Sequence, residues 1–265
     1  MKTISVLATI LILLFIPSLT HSKVVEHDVK YRDGNALLQG YIAYDDSVKG
    51  KRPGVLIVHE WTGINDYIKD RARRFASLGY VAFAADIYGK DSWPETLEDA
   101  ERVSKRYKKD VKLLRRRLKA GLERLRTLPQ VNPEMIAAVG YSFGGMAVLE
   151  LARTGEPLSG VISVYGSLYP DVKSSSDIKT RVLVLHGGDD PFVSPQKLLR
   201  LWKELQLAGV NWEIHIYGEA VHSFTNPEAG NDPSVGVAYN AYADRHSWRL
   251  IREFLSEVFK EKGGR

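Results

Sequence analysis

The chain of 265 residues is 44% hydrophobic and 26% charged, which suits one sizeable α/β domain with a substantial core and excludes a disordered or low-complexity chain. It has no cysteine, so neither a disulfide framework nor a lipidated cysteine is available to it. The formal charge of +5 is mild and does not by itself imply a nucleic-acid partner.

Lys2 is followed by an apolar run from Ile4 to Ile16 and then by small and polar residues up to Ser22. This pattern predicts a secretory signal peptide over residues 1–22, with cleavage after Ser22, and one folded domain over residues 23–265. The run is short for a membrane-spanning helix, although an uncleaved anchor is the alternative. A secreted or periplasmic protein is therefore expected.

Val24 to Tyr31 and Ala36 to Tyr44 read as strands joined at Asp33-Gly34, a hairpin signal, and are expected to form an antiparallel edge. Pro53 to His59 and Tyr80 to Ile87 are short, nearly continuous apolar runs, as in strands buried on both faces. Between them, Asp66 to Leu78 places Ile68, Ala72, Phe75 and Ala76 at helical spacing, and Gly79 stops the helix. Glu95 to Leu128 is helical in one or two pieces, with Tyr107, Val111, Leu114, Leu118, Leu122 and Leu125 as an apolar stripe. Its other faces carry Lys105, Arg106, Lys108, Lys109, Lys112, Arg115, Arg116, Arg117 and Lys119. A solvated face is the plain account of these charges, and peripheral contact with an anionic surface is the sharper one. Further strands are expected over Gly160–Tyr165, Arg181–His186 and Asn211–Tyr217, with a surface loop over 170–177. Helices are expected over Pro195–Leu207 and Tyr239–Lys262. Alternation of strand and helix predicts a mostly parallel sheet covered on both faces.

Ala137 to Met146 contains Gly140-Tyr141-Ser142-Phe143-Gly144, a Gly-x-Ser-x-Gly sequence between an apolar strand and a small-residue helix. In that setting the serine sits on a sharp turn with its hydroxyl exposed for attack. A serine hydroxyl needs a base, and the base needs an orienting carboxylate. Loops after the later strands carry Asp189, Asp190 and His222. Asp190 is favoured over Asp189 because Asp-Pro-Phe-Val sets it three residues before an apolar anchor. Ser142, Asp190, His222 is the chain order of α/β-hydrolases. His59 and His186 end strands near the expected site and are read chiefly as structural. His59-Glu60 is not followed by the second histidine of a zinc motif and no phosphate loop occurs, so no metal or other cofactor is called for.

Five blocks in order resemble the dienelactone hydrolase family: residues 58–65, 79–90, 140–145, 187–193 and 221–227. The resemblance implies an α/β-hydrolase fold over almost the whole mature chain. That family usually carries cysteine where this chain has Ser142. A glutamate matching Glu60 helps control the resting thiol there. Beside serine, Glu60 is left to hydrogen-bond Ser142, to orient loops, or to stand as a solvated carboxylate. The resemblance also implies an oxyanion hole made by the backbone N–H groups of Phe143 and Trp61. Two arginines that hold a substrate carboxylate in the family are matched by Lys90 and Asn226, so bidentate recognition is absent. Trp61, Tyr88, Trp93 and Phe143 suggest an aromatic pocket, or equally core and lid packing.

The function expected is cleavage of a small ester or lactone through an acyl-enzyme, in a small and fairly open site, since no large insertion separates the strands. Thioester or peptide cleavage and transfer to another acceptor stay open. So does a non-catalytic scaffold that meets an anionic partner through the basic helix.

Overall fold

The computed structural model describes residues 24–168 and 177–263. The segment expected to be a signal peptide, residues 1–22, and nearly all of the surface loop expected over 170–177 lie outside the described residues. Within the described residues eight strands form one sheet: β1 (Val24–Asp33), β2 (Ala36–Asp45), β3 (Arg52–Val58), β4 (Val81–Ala85), β5 (Val131–Tyr141), β6 (Gly160–Val164), β7 (Arg181–Gly187) and β8 (Trp212–Tyr217). Their spatial order is β1-β2-β4-β3-β5-β6-β7-β8. β1 pairs antiparallel with β2, and β2 antiparallel with β4, while every pairing from β4 through β8 is parallel. The hairpin register Asp33↔Ala36 leaves Gly34, at φ 58°, in its two-residue turn.

Among the described residues, six α-helices cover the sheet: α1 (Asp66–Ala76), α2 (Leu97–Lys109), α3 (Val111–Arg126), α4 (Phe143–Ala152), α5 (Pro195–Ala208) and α6 (Ala241–Gly263). Side chains alternate across β3: Val55 and Ile57 join the core under α1 and α6, and Leu56 and Val58 join the core under α2 to α5. Burial on both faces explains why β3 is apolar at every position from Val55 to Val58. The helical stretch after Glu95 is two helices. Asp110 ends α2 and caps α3, its carboxylate accepting from the Leu113 amide at 2.9 Å. The apolar stripe continues across that break because Tyr107, Leu114, Leu118, Leu122 and Leu125 all enter one core.

Much of the positive charge on α3 is compensated within the fold. Arg115 pairs with the buried Glu150 of α4 at 2.9 Å, Arg116 and Arg117 with Asp33 of β1, and Lys119 with Glu156. These helices are therefore less cationic to an outside partner than their sequence suggests.

The chain passes from β3 to β4 on one side and then crosses to β5 on the other. Such a reversal opens a crevice at the carboxyl ends of the strands. The loops after β3, β5, β7 and β8 all meet there.

Candidate active site

Ser142 joins β5 to α4 with φ 54° and ψ −113°, a conformation that L-residues rarely adopt. The turn is held from both sides. The Ser142 amide donates to the Val164 carbonyl of β6, and the Ser142 carbonyl accepts from the Gly145 and Ser167 amides. Its side chain does not cap α4. Instead Ser142 Oγ lies 2.7 Å from His222 Nε2.

His222 follows β8 on a loop pinned by two backbone bonds, His222 N–H to Gly236 O and Ala238 N–H to His222 O. Its Nδ1 is 2.7 Å from Asp190 Oδ2. The other oxygen of Asp190 accepts from the Phe192 amide at 2.9 Å, so the loop after β7 fixes the carboxylate by its own backbone. An ionised carboxylate only accepts, which assigns the imidazole proton to Nδ1 and leaves Nε2 as the acceptor facing Ser142. Tyr165 and Phe192 meet the ring edge-to-face at centroid distances of 5.3 and 5.1 Å. Asp189 is exposed and points to no member of this set, whereas Asp190 is buried.

Glu60 is buried at the end of β3 and does not bond Ser142. Its carboxylate accepts from Ser223 Oγ at 3.2 Å and from Asn226 Nδ2 at 3.4 Å. Behind it, the hydroxyls of Tyr165 and Tyr67 lie 2.8 Å apart, Tyr67 also meets Thr225 Oγ1, and Arg71 donates to the Thr225 carbonyl. Burial raises the Glu60 pKa, opposed by His222 when that ring is protonated and by the hydroxyl and amide donors. The folded chain thus holds this proton more tightly than the unfolded chain. That contribution to stability is full below the ordinary glutamate pKa and is lost as pH rises through the raised value. Glu60→Gln keeps a neutral group at every pH. Its melting temperature relative to wild type is therefore expected to climb as pH rises from about 4 to about 8, read by thermal denaturation across that range.

The remaining predicted residues fall in three places. Trp61 is half-buried and lines the crevice, while the Phe143 side chain is fully buried, stacked 6.1 Å from His59. Among the described residues, neither the Phe143 nor the Trp61 amide donates to a backbone carbonyl, and both flank the Ser142 turn or the Glu60 loop. Tyr88 is also buried. Its hydroxyl donates to the Trp61 carbonyl at 2.8 Å, so it braces that loop and does not line the crevice. Lys90 and Trp93 lie outside it: Lys90 is exposed on a single 3-10 turn, and Trp93 Nε1 donates to Asp86 at 3.1 Å. Asn226 is engaged with Glu60. His59 is buried with its Nδ1 on the Glu60 carbonyl and its Nε2 accepting from the Ile87 amide, and burial pushes its pKa down. His186 is likewise buried and shifted down by desolvation.

The crevice differs from the small site expected. It is an open groove of about 1190 Å³ that takes in Ser142, His222, Met146, Leu168 and Phe192 and extends to α2 and α5. Its basic wall was missed, although Glu98, Glu101, Lys105 and Lys108 stand three and four apart and so share one face of α2. Ser223 and Tyr165, which support Glu60, carried no signal beyond their neighbourhood to His222 and β6.

A mostly parallel sheet with an antiparallel edge, and a serine on a strained strand-to-helix turn at the crevice, define an α/β-hydrolase. The chain belongs to the dienelactone hydrolase family, whose sequence profile matches residues 38–259. It is a carboxylic-ester or lactone hydrolase. A putative carboxymethylenebutenolidase of Saccharolobus solfataricus is 25% identical over 275 aligned positions, covering 89% of this chain and 100% of that protein. Another from Synechocystis is 26% identical and covers 85% and 94%. Among solved structures, a dienelactone hydrolase-like promiscuous phosphotriesterase from metagenomic libraries is 37% identical. It superposes with a TM-score of 0.84 over 89% of this chain and 98% of its own.

Proposed function

We propose that the chain is an exported serine hydrolase that cleaves small esters or lactones through an acyl-enzyme, with Ser142 as nucleophile, His222 as base and Asp190 as its orienter. One observation carries this reading: the unbroken line of 2.7 Å contacts from Ser142 Oγ through His222 to Asp190, starting on a strained turn. His222 Nε2 takes the hydroxyl proton as Oγ bonds to the acyl carbon, and Asp190 stabilises the imidazolium that forms. The carbonyl oxygen becomes an oxyanion facing the Phe143 and Trp61 amides. Loss of one such donor costs about 3 kcal/mol of transition-state stabilisation in comparable sites. Collapse breaks the ester C–O bond, and His222 returns its proton to the leaving oxygen, which stays tethered when the substrate is a lactone. Water then repeats the sequence: its proton passes to His222 as its oxygen bonds to the acyl carbon, the bond from that carbon to Oγ breaks, and His222 returns the proton to Ser142.

A fluorophosphonate probe followed by mass mapping tests the reading. One adduct on Ser142, together with a burst of p-nitrophenol from an activated ester, is the expected result. A folded protein with no adduct and no turnover would leave a binding scaffold instead. The likeness to a phosphotriesterase supports a second substrate type, a phosphotriester attacked by the same hydroxyl. Sustained release of p-nitrophenol from an aryl dialkyl phosphate would indicate turnover, and a single equivalent would indicate a trapped phosphoryl-serine. Export is supported by Lys2 and the apolar run from Ile4 to Ile16, and amino-terminal sequencing of the mature protein starting at Lys23 would establish the cleavage.

A further inference from the structure

The cations of α2 and α3 differ in whether a carboxylate faces them. Arg102, Lys105, Arg115, Arg116, Arg117 and Lys119 each face a carboxylate within ion-pair distance. Among the described residues, Lys108 and Lys109 have no such partner, and both line the groove that holds Ser142 and His222. Lys197, from the first turn of α5, joins them and makes only a 3.4 Å bond to the Phe192 carbonyl. Two acids share this wall. Glu101 is taken up by Lys105 at 2.5 Å, and Glu98 is exposed, so the wall keeps a positive excess.

Lys108 is the pivotal member because it is half-buried. Desolvation holds its ammonium below the ordinary lysine pKa, Lys105 and Lys197 add repulsion, and Glu101 only partly opposes them. A half-buried cation without a counter-ion is unfavourable, and an arriving anion would relieve it. The same groove is also lined by Met146, Leu168 and Phe192, an apolar surface that recognises hydrocarbon.

We propose that Lys108, assisted by Lys109 and Lys197, binds a carboxylate at the end of the substrate remote from the scissile bond. The preferred substrate class is then an amphipathic half-ester: an ester at Ser142, a hydrocarbon spacer along Met146, Leu168 and Phe192, and a free carboxylate at the α2 wall. The inference rests on the reading of Ser142 as nucleophile. It assigns anion recognition to a different wall from the positions of Lys90 and Asn226, the first exposed outside the groove and the second bonded to Glu60.

The test compares p-nitrophenyl hemiesters of straight-chain diacids, from succinate to sebacate, with neutral p-nitrophenyl alkanoates of matching length. Wild type is expected to prefer the longer hemiesters in kcat/KM. Lys108→Met should lower that anionic-to-neutral preference about tenfold or more, the scale of one charge-assisted hydrogen bond, while Lys108→Arg retains most of it. The same preference in wild type, Lys108→Met and the folded Lys108→Met/Lys109→Met double variant would overturn the proposal, as would a wild type that favours the neutral series. Calorimetric titration with sebacate separates the two readings. If no ester is turned over, the nucleophile assignment fails, and sebacate binding that is lost in Lys108→Met still upholds the anion site, whereas equal or absent binding in both removes it.

Discussion

Ser142→Ala is expected to lower kcat/KM for an activated ester by a factor of about 10⁴ while the protein stays folded. The hydroxyl has one side-chain partner, His222, and the turn is held by backbone bonds through Val164, Gly145 and Ser167 that alanine preserves. Loss of the Ser142–His222 hydrogen bond removes about 1 kcal/mol, which for a domain of this size moves Tm by about 2 to 4 °C. A second variant separates chemistry from fold. Ser142→Gly should be equally inactive yet more stable than Ser142→Ala, because glycine takes φ 54° without the strain that any side chain incurs. Parallel ester assays and thermal melts on both variants check this. Activity within tenfold of wild type in either would remove Ser142 from the chemistry.

Gly144→Ala should be among the most damaging single-methyl changes, costing about 3 kcal/mol or more and leaving much of the protein insoluble. An added Cβ there would lie well inside van der Waals contact with the carbonyls of Val58 and His59, at the carboxyl end of β3. That strand sits between β4 and β5 in the middle of the sheet, so its backbone cannot give way. The close approach of α4 to β3 is what aims the helix amino terminus at the crevice. A methyl group at Gly144 would therefore tilt the nucleophile as well as strain the core. Gly218→Ala is the control. Its Cβ meets nothing within 4 Å, and its melting temperature should stay close to wild type.

Much of the fold could be read from the chain because burial on both faces of a parallel sheet forces the continuous apolar runs of β3 to β7. That Ser142, Asp190 and His222 meet was legible because strand ends collect loops and the serine stands in a recognisable strand-turn-helix setting. The surroundings of Glu60 were not. Its partner Ser223 is 163 residues away, and no local pattern distinguishes a solvated loop acid from one bonded across two loops. The positions of Lys90 and Trp93 depend on one 3-10 turn at Lys90–Ser92 that carries them out of the groove, too short for periodicity to register. The cationic stretch misled in the same way. Asp33, Glu150 and Glu156, which take up the α3 charges, come from other elements, and only the folded chain distinguishes spent cations from free ones.

Helix α4, which begins at the Ser142 turn, is buried over its whole length. Its axial dipole ends in a partial positive charge at the Ser142 turn, set there by a helix that is itself shielded from solvent. The lysines of the α2 wall stand in open groove, within reach of every counter-ion in solution. Two positive fields thus act on one substrate with different exposure to the medium. On the mechanism proposed, the field at the serine is carried by buried backbone and changes little with the medium, whereas the attraction of the α2 wall for a substrate carboxylate weakens as ionic strength rises.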